Sequence, residues 1–378
     1  MKIGIIGGGI AGLTTAIGLR KMGLEPVVLE AASKIAPVGA GLALAANAIK
    51  GFQRLGLAEQ VMAEGHCLNG FHIFDQNGTL INRTDSRAMS AKYGLDNFVI
   101  HRARLHQVLV NQLPPDSLFT NKRALRTETS QAGITVHFQD NTSLTFDHLL
   151  VADGINSAIR QQLLPASTLR YAGYTCWRGV IENPGFDSQY ASETWGQAGR
   201  VGWTPLKYNQ IYWFACINSP QNTPRMKAMQ PQDLHQHFAH YHSPIPELFA
   251  RTAPEQLLWH DLFDIAPQPR YAFPHLLLLG DAGHATTPNM GQGACQAVED
   301  AAVFTDELQK DFDFNAAAQR YQARRLARTH WITRQSRFLG ELAQSDNRLF
   351  IPLRNFALRH LPSFISEKQL EKIYSVDF

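Results

Sequence analysis

Three glycines near the start of the chain have the spacing of a phosphate-binding turn. Gly7, Gly9 and Gly12 follow a short apolar run and precede a segment that is typical of a helix. The first glycine allows a tight turn, the second lets the backbone approach a pyrophosphate, and the third lets the helix pack close to the preceding strand. The helix N-terminus also presents unpaired N–H groups to the phosphates. The spacing therefore predicts a dinucleotide site at Gly7, Gly9, Ala11 and Gly12.

An acidic residue at the end of the next predicted strand completes this pattern. Glu30 follows the apolar run Pro26–Leu29. A carboxylate in that place accepts hydrogen bonds from the ribose hydroxyls and repels a 2′-phosphate, which disfavours NADP at this site. We therefore expect Glu30 and its neighbour Ala31 to bind the adenosine part of a dinucleotide. A glycine turn with a purely structural role is the alternative.

A second candidate segment begins where a predicted buried strand, His148–Ala152, ends in Asp153 and Gly154. Ser157 is a suitable N-cap for the helix that should follow. Arg160 lies in the first turn of that helix, and a surface position is its simplest interpretation. By itself this segment indicates no more than a strand, a turn and a helix.

A third candidate segment follows a predicted strand of four leucines and starts at Gly280. Asp281 is placed where a carboxylate can reach a sugar-like hydroxyl. The segment then runs through Pro288 to Gly291-Gln292-Gly293, where a second helix N-terminus can face an electron-rich ring edge. For His284, pairing with the backbone is as good an interpretation as a functional role. No Ser/His/Asp group and no pair of carboxylates stands out, so hydrolysis lacks support.

Composition and charge exclude several classes of function. The chain has 378 residues, 44% of them hydrophobic, and its formal net charge of +3 is too small to indicate a nucleic-acid partner. No apolar run is long enough for a transmembrane segment and no signal peptide is recognised, so we expect a cytoplasmic protein. The four cysteines are far apart in sequence and are expected to be buried free thiols. The histidine-rich stretch His235–His242 is interpreted as a polar surface helix, so no metal site is predicted.

The predicted elements show how these segments come together. An apolar strand followed by a glycine turn occurs near both ends of the chain, whereas strands rich in aromatic residues lie between them. We therefore predict an α/β fold with one discontinuous Rossmann-like nucleotide-binding domain, an inserted β-sheet substrate domain and C-terminal helices. In chain order, the nucleotide-binding domain takes residues 1–70, 97–170 and 271–344, the substrate domain residues 71–96 and 171–270, and the C-terminal segment residues 345–378.

These three segments, in this order and at these distances, resemble the single-component FAD-dependent aromatic hydroxylases. This is the family with the p-hydroxybenzoate hydroxylase fold, and the similarity is to its salicylate, urate and zeaxanthin-epoxidase-like branch. It covers nearly the whole chain. Two departures affect loop rigidity near the flavin: Ala46-Asn47 stands where the family often has Pro-Asn, and Ala282-Gly283-His284 where it has Ala-Ala-His.

The resemblance implies a role for each segment. Gly7–Gly12 with Glu30 would bind the ADP part of FAD, and Asp153 would serve both FAD and NAD(P)H. Asp281 would bind the ribitol, and Pro288–Gly293 would lie beside the isoalloxazine ring. Arg102 matches the family arginine near the flavin ribityl-phosphate. Arg104, in a predicted helix Arg104–Leu113, is its competitor, with a surface position as the alternative.

The resemblance also implies a reaction. NADH or NADPH, bound transiently, reduces FAD; the reduced flavin takes up O₂ as a C4a-hydroperoxide and hydroxylates or epoxidises a small aromatic or conjugated substrate. The alternatives are a flavin oxidoreductase or oxidase without oxygen insertion, a monooxygenase that modifies an antibiotic, and a redox or ligand-binding module without enzymatic activity. The chain is expected to act as a monomer or homodimer.

The substrate pocket is expected between the aromatic strands and the flavin, with Pro288 on the flavin side. Because side chains alternate along a strand, Tyr212 and Phe214 share one face and Trp213 lies on the other. We expect Tyr212 and Phe214 to face the pocket, where the Tyr212 hydroxyl would orient or deprotonate a phenol-like substrate. Core packing of either set is the alternative.

Overall fold

The computed structural model describes residues 1–34, 39–85, 97–131, 133–187 and 189–378, and of residues 363–367 it describes the backbone alone. The predicted segment 71–96 therefore lies partly outside the described residues. In chain order, the strands are β1 Ile3–Ile6, β2 Val27–Leu29, β3 Gly41–Leu44, β4 Gly65–Cys67, β5 Gly70–Asp75, β6 Leu80–Asp85, β7 Phe98–His101, β8 Leu118–Phe119, β9 Ala124–Ser130, β10 Gly133–Phe138, β11 Ser143–Phe146, β12 His148–Val151, β13 Leu169–Glu182, β14 Tyr190–Gly196, β15 Gly199–Leu206, β16 Gln210–Asn218, β17 Leu258–Ile265, β18 Ala272–Phe273 and β19 Leu276–Leu278.

Helices connect these strands and form the C-terminal part of the chain. The α-helices are α1 Ile10–Lys21, α2 Ala46–Arg54, α3 Ala58–Ala63, α4 Arg102–Val110, α5 Ala158–Leu163, α6 Pro224–Ala228, α7 Pro231–His237, α8 Ile245–Ala250, α9 Asp281–His284, α10 Gly293–Gln309, α11 Phe314–Ala343, α12 Phe350–Arg359 and α13 Ser363–Tyr374. Short 3₁₀ turns occupy Pro115–Ser117, Pro254–Gln256 and Pro288–Met290. Within the described ranges, none of the helices is both long and apolar enough to cross a membrane.

A six-stranded sheet forms the base of the nucleotide-binding domain. Its strand order is β18-β19-β12-β1-β2-β8, and β1 runs parallel to both β2 and β12. All four residues of β1 are buried, as is typical of a parallel strand that is covered on both faces. Helices α1 and α10 pack against each other within the same apolar core. The strands come from residues 3–29, 118–119, 148–151 and 272–278, so the predicted α/β fold with a discontinuous domain is confirmed.

Two small antiparallel sheets belong to the same region of the chain. Strands β9, β10 and β11 form an antiparallel meander, with Asn141 at positive φ in the turn between β10 and β11. Strands β3, β7 and β4 form the other small sheet. This small sheet lies beside strand β16, since the ring of Tyr212 in β16 packs directly against Gly41 of β3.

A seven-stranded sheet, in the order β17-β13-β16-β15-β14-β5-β6, forms the substrate domain. On one face, Trp177 and Trp213 are fully buried against helices α7 and α8. The opposite face carries Tyr174, Tyr212 and Phe214, and the Tyr174 hydroxyl hydrogen-bonds Asn289 of the nucleotide-binding domain. The second face is therefore the wall between the two domains, which we call the pocket face. The predicted domain boundaries stay predictions.

Two local expectations differ from the structure. Helix α4 begins at Arg102 rather than Arg104, because the His101 ring accepts a hydrogen bond from the Ala103 N–H (3.2 Å) and so caps the helix earlier. Histidine is not among the residues usually preferred at this position, so the pattern gave no signal. Cys67 is exposed, in contrast to the other three cysteines, because β4 lies at the edge of its small sheet.

Candidate functional site

The three candidate segments converge on one cleft, although some 270 residues separate the first from the last. A Cβ added to Gly7 would lie 2.3 Å from the carbonyl oxygen of Ala152, which precedes Asp153. A Cβ added to Gly280 would lie 2.9 Å from the Cβ of Ala11. The carboxyl ends of β1, β12 and β19 are adjacent in the sheet, which is where open α/β sheets bind ligands.

The glycine turn has the geometry that its spacing predicts. Gly7 has φ +101°, a conformation that disfavours any side chain. A Cβ on Gly12 would lie 2.0 Å from the Gly7 carbonyl oxygen, whereas a Cβ on Gly9 would meet nothing within 4 Å. Gly12 is thus required by packing inside the protein, and Gly9 borders open space at the N-terminus of α1. This open space is what a phosphate group would occupy.

Glu30 is fixed directly over this turn. Its carboxylate accepts hydrogen bonds from the N–H groups of Gly8 and Ala32, both at 2.7 Å. His106 adds a contact that the sequence did not reveal, since its Nε2 lies 2.7 Å from the Gly8 carbonyl oxygen. Ala31 follows at the half-buried rim. The turn and the acidic residue therefore form one preorganised unit.

The segment at Asp153 is held by a buried arginine. The Ser157 hydroxyl caps α5 by accepting from the Arg160 N–H at 3.0 Å, as predicted. The surface position expected for Arg160 is wrong: its side chain is fully buried and donates to the carbonyl oxygens of Ile155 (2.7 Å) and Ala282 (3.5 Å). Arg160 thus ties the Asp153 turn to the segment that follows Gly280.

Asp153 is an incompletely satisfied acid in this cleft. One of its carboxylate oxygens is buried and has no hydrogen-bond partner among the described residues. Burial raises the pKa of Asp153 to about 6. Buried polar groups normally find a partner, so the free oxygen indicates a ligand that donates a hydrogen bond.

The segment at Gly280 is anchored by a second buried carboxylate. Gly280 has φ +56°, and its N–H donates to Asp300 at 2.7 Å. The same Asp300 oxygen lies 2.7 Å from Nε2 of His284. His284 is therefore a satisfied buried histidine, but its partner is a carboxylate side chain and not the backbone that the sequence analysis considered. Asp281 points elsewhere: its side chain is exposed, yet surrounding protein raises its pKa by desolvation. This combination is typical of a group that lines a cleft.

The loop from Pro288 to Gly293 is also rigidly held. Pro288–Met290 forms a 3₁₀ turn, Gly291 has φ +63°, and α10 starts at Gly293, beside which there is open space. The buried Gln292 side chain accepts from Asn47 at 2.9 Å. Asn47, which is retained where the family often has Pro-Asn, therefore fixes the loop from the opposite side of the cleft.

Arg102 and Arg104 point in different directions from the same helix. The Arg102 side chain packs over Gly39, and its charge acts on Asp281. Arg104 instead lies 4.7 Å over the ring of Tyr208 and 3.8 Å from Glu64, on the outer surface. Of the two arginines, Arg102 is therefore the one that borders the cleft.

The aromatic residues of β16 separate as their alternation predicts. Trp213 donates to Thr252 at 2.9 Å and packs edge-on against Phe249 in the core beneath the sheet. Tyr212 lies against Gly41, and Phe214 lies over Gly202 on the pocket face. Burial raises the pKa of Tyr212 well above its usual range, so its hydroxyl stays protonated.

A buried arginine on the neighbouring strand connects the pocket face with the loop that follows Pro288. Arg200 donates to Glu193 at 3.0 Å and forms a short hydrogen bond to Asn289. Its guanidinium carbon also lies 5.5 Å from the ring centre of Tyr174. Arg200 and Glu193 lie far in sequence from the three candidate segments, so the sequence gave no signal for their contact with Asn289.

Comparison with known proteins agrees with this geometry. A family model described as an FAD binding domain matches residues 1–336. The chain is 36% identical over 360 residues to the aurachin C monooxygenase/isomerase of Stigmatella aurantiaca, which covers 95% of this chain and 94% of that protein. It is 32% identical over 344 residues to an FAD-dependent urate hydroxylase of Klebsiella pneumoniae, with 89% of each chain covered. The chain belongs to the single-component FAD-dependent aromatic hydroxylases.

A solved structure also supports the assignment of this chain to the hydroxylase family. The crystal structure of Klebsiella pneumoniae HpxO complexed with FAD and uric acid superposes with a TM-score of 0.91 and 28% sequence identity, over 99% of this chain and 96% of that chain. The predicted FAD cofactor and the prediction of a monooxygenase-type enzyme are thereby confirmed. The cleft also fits FAD on its own terms: it has open space at two helix N-termini, an unpaired buried oxygen on Asp153 and an exposed carboxylate on Asp281.

The charged residues beneath the cleft of this hydroxylase are those that the sequence analysis missed. Asp300 accepts from Arg325 at 2.8 Å, and Arg325 also pairs with Glu299, all three being buried. Glu299 also accepts hydrogen bonds from Arg328 at 2.6 Å and from Asn47 at 2.5 Å. These residues lie in the helical patterns of α10 and α11, where charges normally mark a solvent-facing side. Only the packing of α10 against α11 shows that they are internal.

Proposed function

We propose that this hydroxylase uses NADH or NADPH and O₂ to hydroxylate a small, electron-rich aromatic substrate held between the pocket face and the flavin. The carrying observation is the Arg200–Asn289 contact, which joins the pocket face to the Pro288–Gly293 loop. Such a contact fixes the distance between the substrate wall and the loop expected beside the flavin ring. Fixed positioning of the reacting groups is a main source of enzymatic rate enhancement.

The FAD would extend across the cleft from Glu30 to the loop after Pro288. We assign the adenosine ribose to Glu30 and Ala31, and the pyrophosphate to Gly7, Gly9, Ala11 and Gly12. Arg102, which borders the cleft, would neutralise phosphate charge. Asp153 and Asp281 would accept hydrogen bonds from the cofactor, and Pro288, Gly291, Gln292 and Gly293 would border the ring.

The charges on the pocket face favour a substrate with an anionic or strongly polarised oxygen. Arg200 has Glu193 as its partner, whereas the groups that act most on the Arg178 guanidinium are the Cys176 thiol and the Tyr212 hydroxyl, not carboxylates. Arg178 is only half-exposed. A half-buried cation that has no carboxylate partner among the described residues gains from an anionic ligand. We therefore assign a phenolate, enolate or carboxylate oxygen of the substrate to Arg178.

The chemistry of oxygen transfer belongs to the bound FAD, and the protein orients the substrate and excludes water. Phe214 would cover one side of the substrate ring. The protonated Tyr212 hydroxyl would donate a hydrogen bond to a substrate oxygen and hold the ring in one orientation. Pro288 would close the pocket on the flavin side. No described group is required as a nucleophile.

The proposed site accepts either NADH or NADPH and either hydroxylation or epoxidation, and one screen tests both choices. NADH and NADPH are both allowed, because the Glu30 site disfavours a 2′-phosphate only where FAD would bind. Epoxidation of a conjugated substrate uses the same pocket. A monomer or homodimer and a cytoplasmic location also stay predictions.

A substrate screen with a product assay tests the proposal. The FAD-loaded protein would be mixed with NADH or NADPH and, in turn, with urate, salicylate and 3-amino-4-hydroxybenzoate, and NAD(P)H oxidation would be followed under ¹⁸O₂. The expected result is a substrate that stimulates oxidation and gains one ¹⁸O atom by mass. Stimulated oxidation with one peroxide per NAD(P)H and no labelled product would instead establish the oxidase alternative. A protein that takes up no FAD would overturn the proposal.

A further inference from the structure

Two cysteines that are 40 residues apart in sequence lie directly opposite each other on the pocket face. Cys176 of β13 and Cys216 of β16 are Cα partners in the antiparallel register, and their exposed fractions are 2% and 1%. Opposed residues in such a pair have Cα atoms about 4.5–5.5 Å apart. A disulfide requires a Cα separation of about 4.4–6.8 Å. The strand pairing therefore already supplies the separation that a disulfide needs.

The surroundings of the pair shift the pKa values of the two thiols in opposite directions. A hydrogen bond from Cys216, with the charge of Arg178, lowers the pKa of Cys176 to about 6. Burial and the neighbouring Cys176 raise the pKa of Cys216 well above its usual range. Cys176 is therefore the more readily ionised thiol of the pair and the better nucleophile, since thiolates rather than thiols react, and Cys216 is the partner next to it.

The pair is also placed where an oxidant would form. Arg200 lies 4.0 Å from the Cys216 sulfur through Nη2, and the same nitrogen contacts Asn289 in the loop assigned to the flavin edge. Phe214 and Tyr174 pack in the same small apolar cluster as the two cysteines. The two thiols therefore lie one side chain away from the loop assigned to the flavin edge, where hydrogen peroxide would be released when no substrate is oxidised.

We propose that Cys176 and Cys216 form a reversible disulfide in response to hydrogen peroxide, and that this disulfide changes the affinity of the pocket for its anionic substrate. The Cys176 sulfur attacks one peroxide oxygen, the O–O bond breaks and hydroxide leaves, which gives a sulfenic acid. The Cys216 sulfur then attacks Cys176, the S–O bond breaks, and the departing hydroxide takes the Cys216 proton. In total, the thiolate and the thiol lose two electrons and one proton, and the peroxide becomes one hydroxide ion and one water molecule.

The disulfide would alter the pocket by removing a charge. The thiolate of Cys176 is the strongest influence on Arg178, the guanidinium that we assign to the substrate. A disulfide carries no charge and accepts hydrogen bonds poorly, so Arg178 and Arg200 both lose a partner. The enzyme would thereby bind substrate differently while peroxide is present, and a thiol reductant would restore it.

Mass spectrometry of the FAD-loaded enzyme tests the chemistry without any known substrate. The reduced protein is treated with increasing hydrogen peroxide, denatured, alkylated with iodoacetamide and digested. The expected result is a mass lower by two hydrogens, two fewer alkylated cysteines of the four, and a linked pair of peptides that contain Cys176 and Cys216. Dithiothreitol should reverse all three changes. Oxidation that reaches only Cys67, or a linkage between other cysteines, would overturn the proposal.

Two variants separate the pair from general oxidation. Cys216→Ser should leave Cys176 as a sulfenic acid that dimedone traps, and Cys67→Ser, which removes the exposed thiol, should behave as the wild type. A second arm generates peroxide in place with NADH and O₂, with catalase in the solution, and rests on the proposed function. A disulfide in that arm supports formation at the flavin. Disulfide formation with an unchanged KM for the substrate would contradict the regulatory part of the proposal.

Discussion

The dinucleotide turn and the pocket face use different parts of the chain to meet their ligands. The turn from Gly7 to Gly12 offers backbone N–H groups and open space, with Glu30 as its one prominent side chain. The pocket face offers side chains from several strands, held by the Arg200 network. A site made of backbone groups loses its ligand when an added side-chain atom occupies the space. In a site made of side chains, a substitution leaves the fold intact and changes which ligand is preferred. Mutations should therefore affect cofactor and stability in the first region and substrate in the second.

The largest effect is expected beneath the cofactor cleft. Asp300→Ala leaves Arg325 and His284 without their shared buried carboxylate. Loss of one member of a buried ion pair costs about 3–5 kcal/mol, and denaturant titration should show this loss together with a lower FAD content. Asp306→Ala on the same helix removes a more exposed partner of Arg54, so it should cost under about 1 kcal/mol. Equal losses would show that the Asp300 network is not special.

Acid should weaken the same network. Burial alone would raise the pKa of Asp300, but the charges of His284 and Arg325 and the Gly280 N–H lower it to about 2. Because the folded pKa lies below the ordinary value of 3.8, its stabilisation is present above about pH 4 and is lost as the pH falls towards 2. The wild type should lose more stability over this interval than Asp300→Ala does.

Two glycines of the turn distinguish packing from ligand contact. Gly12→Ala places a Cβ 2.0 Å from the Gly7 oxygen, and such overpacking costs about 1–3 kcal/mol. Gly9→Ala meets no protein atom, so the apoprotein should keep its melting temperature while FAD binds about tenfold more weakly, equal to about 1.4 kcal/mol. Differential scanning calorimetry and flavin titration measure the two effects. Normal FAD binding by Gly9→Ala would contradict the phosphate assignment.

The effect of Asp153 on the pH dependence of stability should be opposite in sign to that of Asp300. Its pKa is raised by burial from 3.8 to about 6, so the apoprotein loses stability as the pH rises through this interval. Asp153→Asn removes that loss and should raise the melting temperature of the apoprotein at neutral pH by a few degrees, with no gain below about pH 4. The same variant should bind FAD more weakly. A more stable apoprotein with unchanged FAD affinity would assign Asp153 to structure alone.

On the pocket face, Arg178→Gln should change substrate binding alone. We expect the KM for the anionic substrate found in the screen to rise about tenfold, equal to about 1.4 kcal/mol, with kcat and FAD content nearly unchanged. Arg104→Gln, which alters an exposed arginine paired with Glu64, is the matched control. An unchanged KM, with substrate still hydroxylated, would remove Arg178 from the pocket without affecting the proposed function.

The smallest effect is expected for Tyr212→Phe. Loss of one neutral hydrogen bond is worth about 0.5–1.5 kcal/mol, so the ratio of product to NAD(P)H consumed should fall about two- to tenfold. FAD content should fall less, because the ring still packs against Gly41. An unchanged ratio would make Tyr212 a packing residue.

Prediction from the sequence succeeded where the relevant contacts are local. Gly7, Gly12 and Glu30 belong to one β-α-β unit, and their spacing alone fixes the turn. The alternation in β16 likewise fixed that Tyr212 and Phe214 share a face. The alternation did not determine which of the two faces is covered by helices, because Trp213 is as apolar as its neighbours. The structure shows that α7 and α8 cover the face that carries Trp213.

The sequence by itself determined the fold class and the cofactor and predicted the backbone turn that we assign to the phosphates, since these depend on periodicity and on short spacings. Only the tertiary structure decided which charges are internal and which distant residues touch. Arg160, Asp300 and Arg325 look like surface residues of helices until the helices are packed. Cys176 and Cys216 look like unrelated thiols until β13 and β16 are paired in register. Strand order and helix packing depend on contacts between distant parts of the chain, and no local pattern specifies them.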